Sequence, residues 1–369
     1  MRPIAIAAVL LFLVPAVAHG QALVVEGRGW GHGVGMSQFG AQGFALREGR
    51  DHAWILGHYY PGTSVGKARA ARMRVLLKRS SAPKVCGATL ARDASGRRIA
   101  LRPGRQYRFR AAGADRLRVT GRRARLLAPV VVTGGSSTCL RGAAQNGLSD
   151  GFYRGRMVLE RDGSAVLAVN HVSLEHYLYG VVPAEMPADW AAEALRAQAI
   201  VARSYALRSL RPDALFDVYA DVRSQVYRGV LEEVAASTAA VRATRARAVY
   251  AGVEVAQTFF FSTSGGRTAA NEEVWGGLPI SYLRAVKDPH DDLSPYHTWE
   301  ARFSERDARR RLREVTAGTL KGLRVAGRTP SGRVATVEVR GSKGVRKVGG
   351  AAIRTELELR STWFSLLLE

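Results

Sequence analysis

The segment Gly180–Leu207, GVVPAEMPADWAAEALRAQAIVARSYAL, decides how this chain is read. A single carboxylate, Glu185, lies between Pro183 and Pro187, directly before a strong helical pattern. Proline is tolerated in a first helical turn and aspartate is a good N-cap, so the spacing predicts a helix starting near Pro187–Asp189. Alanine, leucine, arginine and glutamine then carry it to about Leu210, ahead of Pro212. A rigid loop that delivers one acid to a helix mouth suits acid–base chemistry. A loop glutamate that merely caps the helix would look the same.

Upstream, Gly27–Ala41 reads GRGWGHGVGMSQFGA. Alternating glycines permit positive φ and leave little side chain to pack, which predicts a tight loop approaching another element closely. A helix over Gln38–Tyr60 should follow and stop at Tyr59-Tyr60-Pro61-Gly62. From Arg72 to Leu159 the pattern turns to short alternating runs separated by Gly, Pro and Ser, a mainly β region. Val166–Val169 predicts one more strand, and Val172–Tyr179 a short helix leading into the Glu185 loop. Leu215–Tyr227 and Val249–Phe261 read as extended. Glu232–Thr244 and Trp299–Glu314 read as helical, and the stretches around Val325, Val334–Val339 and Val345–Val348 as a small terminal β unit. The fold class is α+β.

The chain has 369 residues, 47% of them hydrophobic, enough for a substantial core. The N-terminus carries Arg2, an apolar run Ile4–Val17 and a small-residue site Ala16-Val17-Ala18. That is the pattern of a secretory signal, cut at 18 or as late as 22, or else kept as an anchor. The mature protein is therefore expected to be secreted or in the cell envelope. The net charge of +24 comes mostly from arginine. It favours electrostatic attraction to anionic envelope polymers, or it reflects arginines scattered over solvated faces. No basic run is interleaved with aromatics for stacking on bases, so nucleic acid is not expected as a partner. Cys86 and Cys139 are the only cysteines. An exported compartment would let them form a disulfide; two buried free thiols are the alternative.

Together, GVVPAEMP…, GRGWGHGVGMSQFGA, Ser224–Gly229 (SQVYRG) and Phe259–Gly266 (FFFSTSGG, followed by Val274-Trp275-Gly276) resemble the SpoIID/LytB family of bacterial cell-wall proteins. The resemblance implies one of two activities. The first is a peptidoglycan lytic transglycosylase that leaves 1,6-anhydro ends. The second is a non-catalytic, glycan-binding amidase enhancer with a cell-wall amidase as partner. It implies that Glu185 is the acid and then the base; Glu175 fits the family's pattern too and is the rival acid, but on a short helix with Leu174, Tyr177 and Leu178 it reads as a structural hydrogen-bonding group. Gln225, Tyr227, Ser262, Ser264, Gly265 and Gly266 would bind glycan, joined by His32, Met36, Ser37 and Gln38, although His32 could equally be a satisfied loop histidine. For Glu185 to work as an acid, burial among Trp190, Tyr179 and Tyr227 must outweigh the pKa-lowering field of a helix N-terminus. Some SpoIID-type proteins hold a zinc with His and Cys near the site. Arg211–Gln225 has neither residue; Asp288, Asp291 and Asp292 near His290 could hold a cation but read rather as a surface acidic turn, and no metal or other cofactor is expected.

The implied organisation is a glycine-rich segment over 23–65 packed on the core, a β region over 70–150, a SpoIID/LytB core over 151–300, and a helix and β unit over 301–369. In many SpoIID-type sequences the GHGVGMSQ signature follows a segment like Thr355–Phe364, near the C-terminus. Here it follows the signal segment instead, so the order looks circularly permuted. Leu23–Glu26 should then run near Trp363–Leu368, in one sheet, and His32 and Gln38 should reach the same cleft as Glu185. Otherwise the N-terminal motif is a separate wall-binding module.

Overall fold

The computed structural model describes residues 23–368; the expected signal segment lies outside them. The fold is α+β and divides into two compact units.

The larger unit holds residues 28–299 and 329–333. Its centre is the helix Ala192–Arg208, packed against helices Gln38–Glu48, His52–Tyr59, Leu174–Glu185 and Ala235–Ala243 and strand Arg247–Ala251. A helix enclosed this way needs apolar side chains on most faces, and Leu195, Ala199, Ile200, Val201, Ala202 and Ala206 are all buried. It begins at Ala192 behind an uncapped Ala191, later than the Pro187–Asp189 start expected from the prolines, and Asp189 is not its cap.

The β region lies in one large, mainly antiparallel sheet that takes in Arg72–Ser80, Lys84–Arg92, Val130–Arg141, Arg156–Asp162 and Ala165–Ser173. It continues straight across the boundary drawn at residue 150, so the β region and the core share one sheet. Cys86 and Cys139 are directly opposed across two of its strands and form a disulfide. In the chain-entropy model, closing a loop of this length contributes about 4 kcal/mol. Reduction should therefore lower the melting temperature, and a thiol assay on unreduced, denatured protein should find no free thiol. An unchanged melting temperature after complete reduction would contradict this.

Three expected elements differ. Gln38–Tyr60 is two helices, because Gly49 takes a left-handed C-cap (φ 62°) and Asp51 caps a new start at His52. Only Val218–Tyr219 is a strand within Leu215–Tyr227. The helix expected over Trp299–Glu314 opens instead as the strand Thr298–Phe303, with alternating exposure, and the helix starts after the Ser304 cap at Glu305.

The smaller unit holds residues 23–27, 300–328 and 334–368. Leu23–Arg28 pairs antiparallel with Phe364–Leu368 in the register Leu23↔Leu368 to Gly27↔Phe364, so the two ends of the described chain share a sheet, as the permuted order requires. Leu320–Arg328, Val334–Gly341 and Gly344–Gly349 form a three-stranded meander.

Candidate active site

Glu185 is the last residue of the helix Leu174–Glu185, not part of a loop. Ser173 caps the helix start, and Tyr177, Leu178, Val181 and Val182 bury its inner face. That packing carries the helix through Pro183 despite the lost backbone donor. Pro187 disfavours helical backbone at Met186, which turns extended (φ −137°, ψ 133°). The prolines thus fix where the helix stops and leave the carboxylate at its C-terminal end. The partial negative charge there opposes ionisation, the reverse of the N-terminal field expected from sequence.

The carboxyl is partly buried, and this burial pushes its pKa up to about 7. The opposing influence is a hydrogen bond of 2.7 Å donated by the Val226 backbone N–H to Oε1. The carbonyl-type oxygen of a neutral carboxyl is the better acceptor for this N–H, which favours Oε1 as that oxygen and Oε2 as the site of the proton. The aromatic neighbours are not all those expected. Tyr177 and Tyr205 feel the Glu185 charge. Tyr179 instead meets His176 and Arg242, and Tyr227 packs on Tyr153 and Tyr177. Trp190 stacks edge-on against Phe39 at 4.7 Å.

The Val226 N–H is held in place by Gly180. A Cβ there would come within 2.9 Å of the Gly229 carbonyl oxygen and the Tyr227 ring, and the Gly180 carbonyl accepts from Arg228 N–H at 3.3 Å. Gly180→Ala should displace the 226–229 backbone and cost roughly 10- to 100-fold in any Glu185-dependent turnover, with the protein still folded by circular dichroism. Unchanged turnover would show that the loop contact is unimportant.

The glycine-rich segment reaches Glu185. Gly35 (φ 78°) has no room for a Cβ, which would lie 2.1 Å from the Phe259 carbonyl. The close approach lets Met36–Ser37 pair with Phe260–Phe261. Ser37 is fully buried and caps the next helix by accepting from Gly40 N–H. Gln38 Nε2 donates to the Glu185 carbonyl oxygen at 2.9 Å and lies 3.5 Å from Gln198 Oε1. Gln38 therefore braces the helix end, and the segment is no separate module.

Several expected glycan contacts are internal instead. Gln225 is fully buried, accepting from the Tyr177 hydroxyl (3.2 Å) and donating to the Ala202 carbonyl (3.4 Å). Tyr227 is buried with its hydroxyl on Asn170. Ser264 and the Gly265 N–H both donate to Asp291, and Gly266 N–H to Ser264. These groups shape the loops, and their polar atoms are already used. Asp288 and Asp291 are not a surface turn: both are fully buried. Asp288 accepts from Tyr59 at 2.8 Å, and burial, with Asp291 beside it, pushes its pKa up to about 7. Asp291 also meets His297 at 2.8 Å.

His32 and Ser262 remain partly exposed. His32 Nε2 lies 3.0 Å from the Phe260 carbonyl, and its ring meets Phe259, Phe261 and Trp275. Sequence reasoning placed His32 among the binding candidates but assigned no role to Phe259, Phe261 or Trp275. Trp275 is half exposed and packs 4.6 Å from Phe259, which in turn meets Tyr205. The run Tyr205–Phe259–Trp275–His32 leads outward from the neighbourhood of Glu185. Trp275 was visible as a conspicuous aromatic in a glycine loop, but nothing in the sequence put it beside Phe259.

Residues 162–250 match the SpoIID family, described as stage II sporulation protein. Stage II sporulation protein D of Bacillus amyloliquefaciens is 32% identical over 214 residues, and that of Bacillus subtilis (strain 168) is 31% identical over the same length; each match covers 53% of this chain and 61% of the relative. The chain thus spans less than two thirds of those proteins. The amidase enhancer of Bacillus subtilis (strain 168) is 34% identical over 117 residues, 31% of this chain and 15% of that protein. Over this region the chain is similar to the SpoIID family, and its relatives include both stage II sporulation protein D and the amidase enhancer.

Proposed function

We propose that this is an exported cell-wall protein that cleaves peptidoglycan glycan strands as a lytic transglycosylase, with Glu185 as its single acid and base. The carrying observation is the Glu185 carboxyl raised to about 7 by burial, with no second carboxylate contributing to the shift. Ordinary glycosidases need two carboxylates, one as acid and one as nucleophile or base for water. A lone acid near neutrality suits an intramolecular reaction. Oε2–H gives its proton to the glycosidic oxygen, and the C1–O bond breaks. The resulting carboxylate takes the proton of the sugar's own C6 hydroxyl, and O6 closes on C1 to form the 1,6-anhydro ring. Acid becomes base within one cycle, and a pKa near the working pH serves both roles. The exposed Trp275 and the neighbouring aromatic rings offer flat apolar surfaces for the C–H faces of pyranose rings.

The test is digestion of purified peptidoglycan, intact and amidase-treated, with mass spectrometry for anhydro ends. The likeness to the amidase enhancer supports a second reading, in which the same surface holds glycan for a partner amidase without cleaving it. Glycan binding with no product from either substrate would select that reading.

A further inference from the structure

Residues 92–125 carry twelve arginines against two aspartates, Asp93 and Asp115. All twelve arginines are exposed. Asp93 is buried and spent on its own turn, accepting from Ser95, Arg97 N–H and Leu127 N–H. Asp115 lies 3.9 Å from Arg116, the only ion pair within this segment among the described residues.

The strand register makes this more than composition. Arg110 is directly opposite Arg118, and Arg118 directly opposite Arg125, so three guanidinium groups line up across strands Tyr107–Ala111, Arg116–Val119 and Arg125–Leu127. Lys84 is likewise opposite Arg108, and Arg92 opposite Arg98. Like charges directly opposed across a ladder destabilise a sheet. Elsewhere a ladder arginine faces an acid, as Arg324 faces Glu338 in the C-terminal meander. Two shallow depressions, of about 470 and 380 Å³, flank this face and share Arg122 and Arg123. They join the Arg110–Arg118 row to Arg97 and Arg98 in one basic surface.

We infer that this sheet face is a binding surface for a linear polyol-phosphate polymer, read through its phosphates. A row of unpaired, mutually repelling guanidinium groups is complementary to regularly repeated negative charge, and arginine pairs bidentately with phosphate. The surface is poor for other polyanions. Tyr107 and Phe109 point to the buried face, and no large apolar side chain between residues 66 and 214 is exposed. There is nothing to stack on bases and nothing to enter a bilayer. The inference does not depend on Glu185 or on catalysis.

The experiment measures binding of the full chain to poly(glycerol phosphate) by calorimetry at several salt concentrations. Wild type is compared with R110Q/R118Q/R125Q and with K321Q/R340Q/K343Q, which removes equal charge from the C-terminal meander. The first triple should weaken binding at least about tenfold and reduce the slope of log K against log salt by roughly 2–3, whereas the second should change little. Its melting temperature should hold or rise as the repulsion is relieved; if the triple fails to fold, R118Q, with a like charge on both sides, carries the same comparison. Equal loss in both triples would reduce the effect to net charge and overturn the inference. So would stronger binding to vesicles of equal phosphatidylglycerol and phosphatidylcholine than to the polymer, or stronger binding to a DNA oligonucleotide.

Discussion

Glu185→Gln should reduce anhydro-product formation by about 10²–10⁴-fold while leaving the fold and glycan binding intact. The amide is isosteric and still accepts the Val226 N–H through its oxygen, but carries no titrating proton. Wild-type activity should have a basic limb near pH 7, where the acid loses its proton. The same substitution gives a second readout in stability. An acid whose folded pKa lies above its unfolded value binds more protons when folded, so stability falls as pH rises through the window from 4.5 to about 7. Above that window the buried carboxylate carries its full penalty. Glu185→Gln removes the penalty, so the variant should be more stable than wild type at pH 8, by on the order of 1–3 kcal/mol, with the gap closing below about pH 5. Asp288 titrates in the same window in both proteins and cancels in the comparison. A variant that retained near wild-type product formation would remove Glu185 from the chemistry. A stability gap independent of pH would mean that the acid is not held neutral.

What could be read from the sequence follows from how local each signal is. The position of Glu185 between two prolines was plain. Which helix it belongs to was not, because Pro183 looks like a breaker until the buried Tyr177–Val182 face is known to outweigh it. The bracing of Glu185 by Gln38, 147 positions away, was anticipated only through the resemblance and the permuted order, and the Leu23–Leu368 pairing fits that order. The resemblance, together with their polar side chains, suggested ligand contacts at Gln225 and Ser264. Their partners, Tyr177, Ala202 and Asp291, lie far away in sequence, so a satisfied buried group could not be told from an exposed one. The buried aspartates were misread for the same reason: an acidic turn carries no local sign of being enclosed. The arginine row is legible as composition, but its meaning lies in a register that only strand pairing supplies.

Arg203→Ala should destabilise the larger unit by about 3–5 kcal/mol, the range for breaking one side of a buried ion pair. Arg203 is fully buried, and its Nε and Nη2 meet the two oxygens of Glu175 at 2.9 and 2.8 Å. Its remaining donors reach the carbonyls of Arg247 (3.1 Å) and Val241 (3.3 Å). One side chain therefore joins the central helix to the Glu185-bearing helix, to helix Ala235–Ala243 and to strand Arg247–Ala251. Alanine would leave Glu175 without its partner and the carbonyls without donors, and would open a large void. Replacing both partners together, Glu175→Leu with Arg203→Met, should cost much less, because no charge is stranded. Denaturant titration of the single and double variants measures the difference, and a loss below about 1 kcal/mol for Arg203→Ala would show that the pair does not hold these elements together. The same experiment separates the two glutamates. Glu175 has both oxygens engaged by Arg203, whereas Oε2 of Glu185 is left to carry a proton. Glu175→Gln should therefore lower stability while the basic limb of activity stays near pH 7, since the group that titrates there sits ten residues further on, at the end of the same helix.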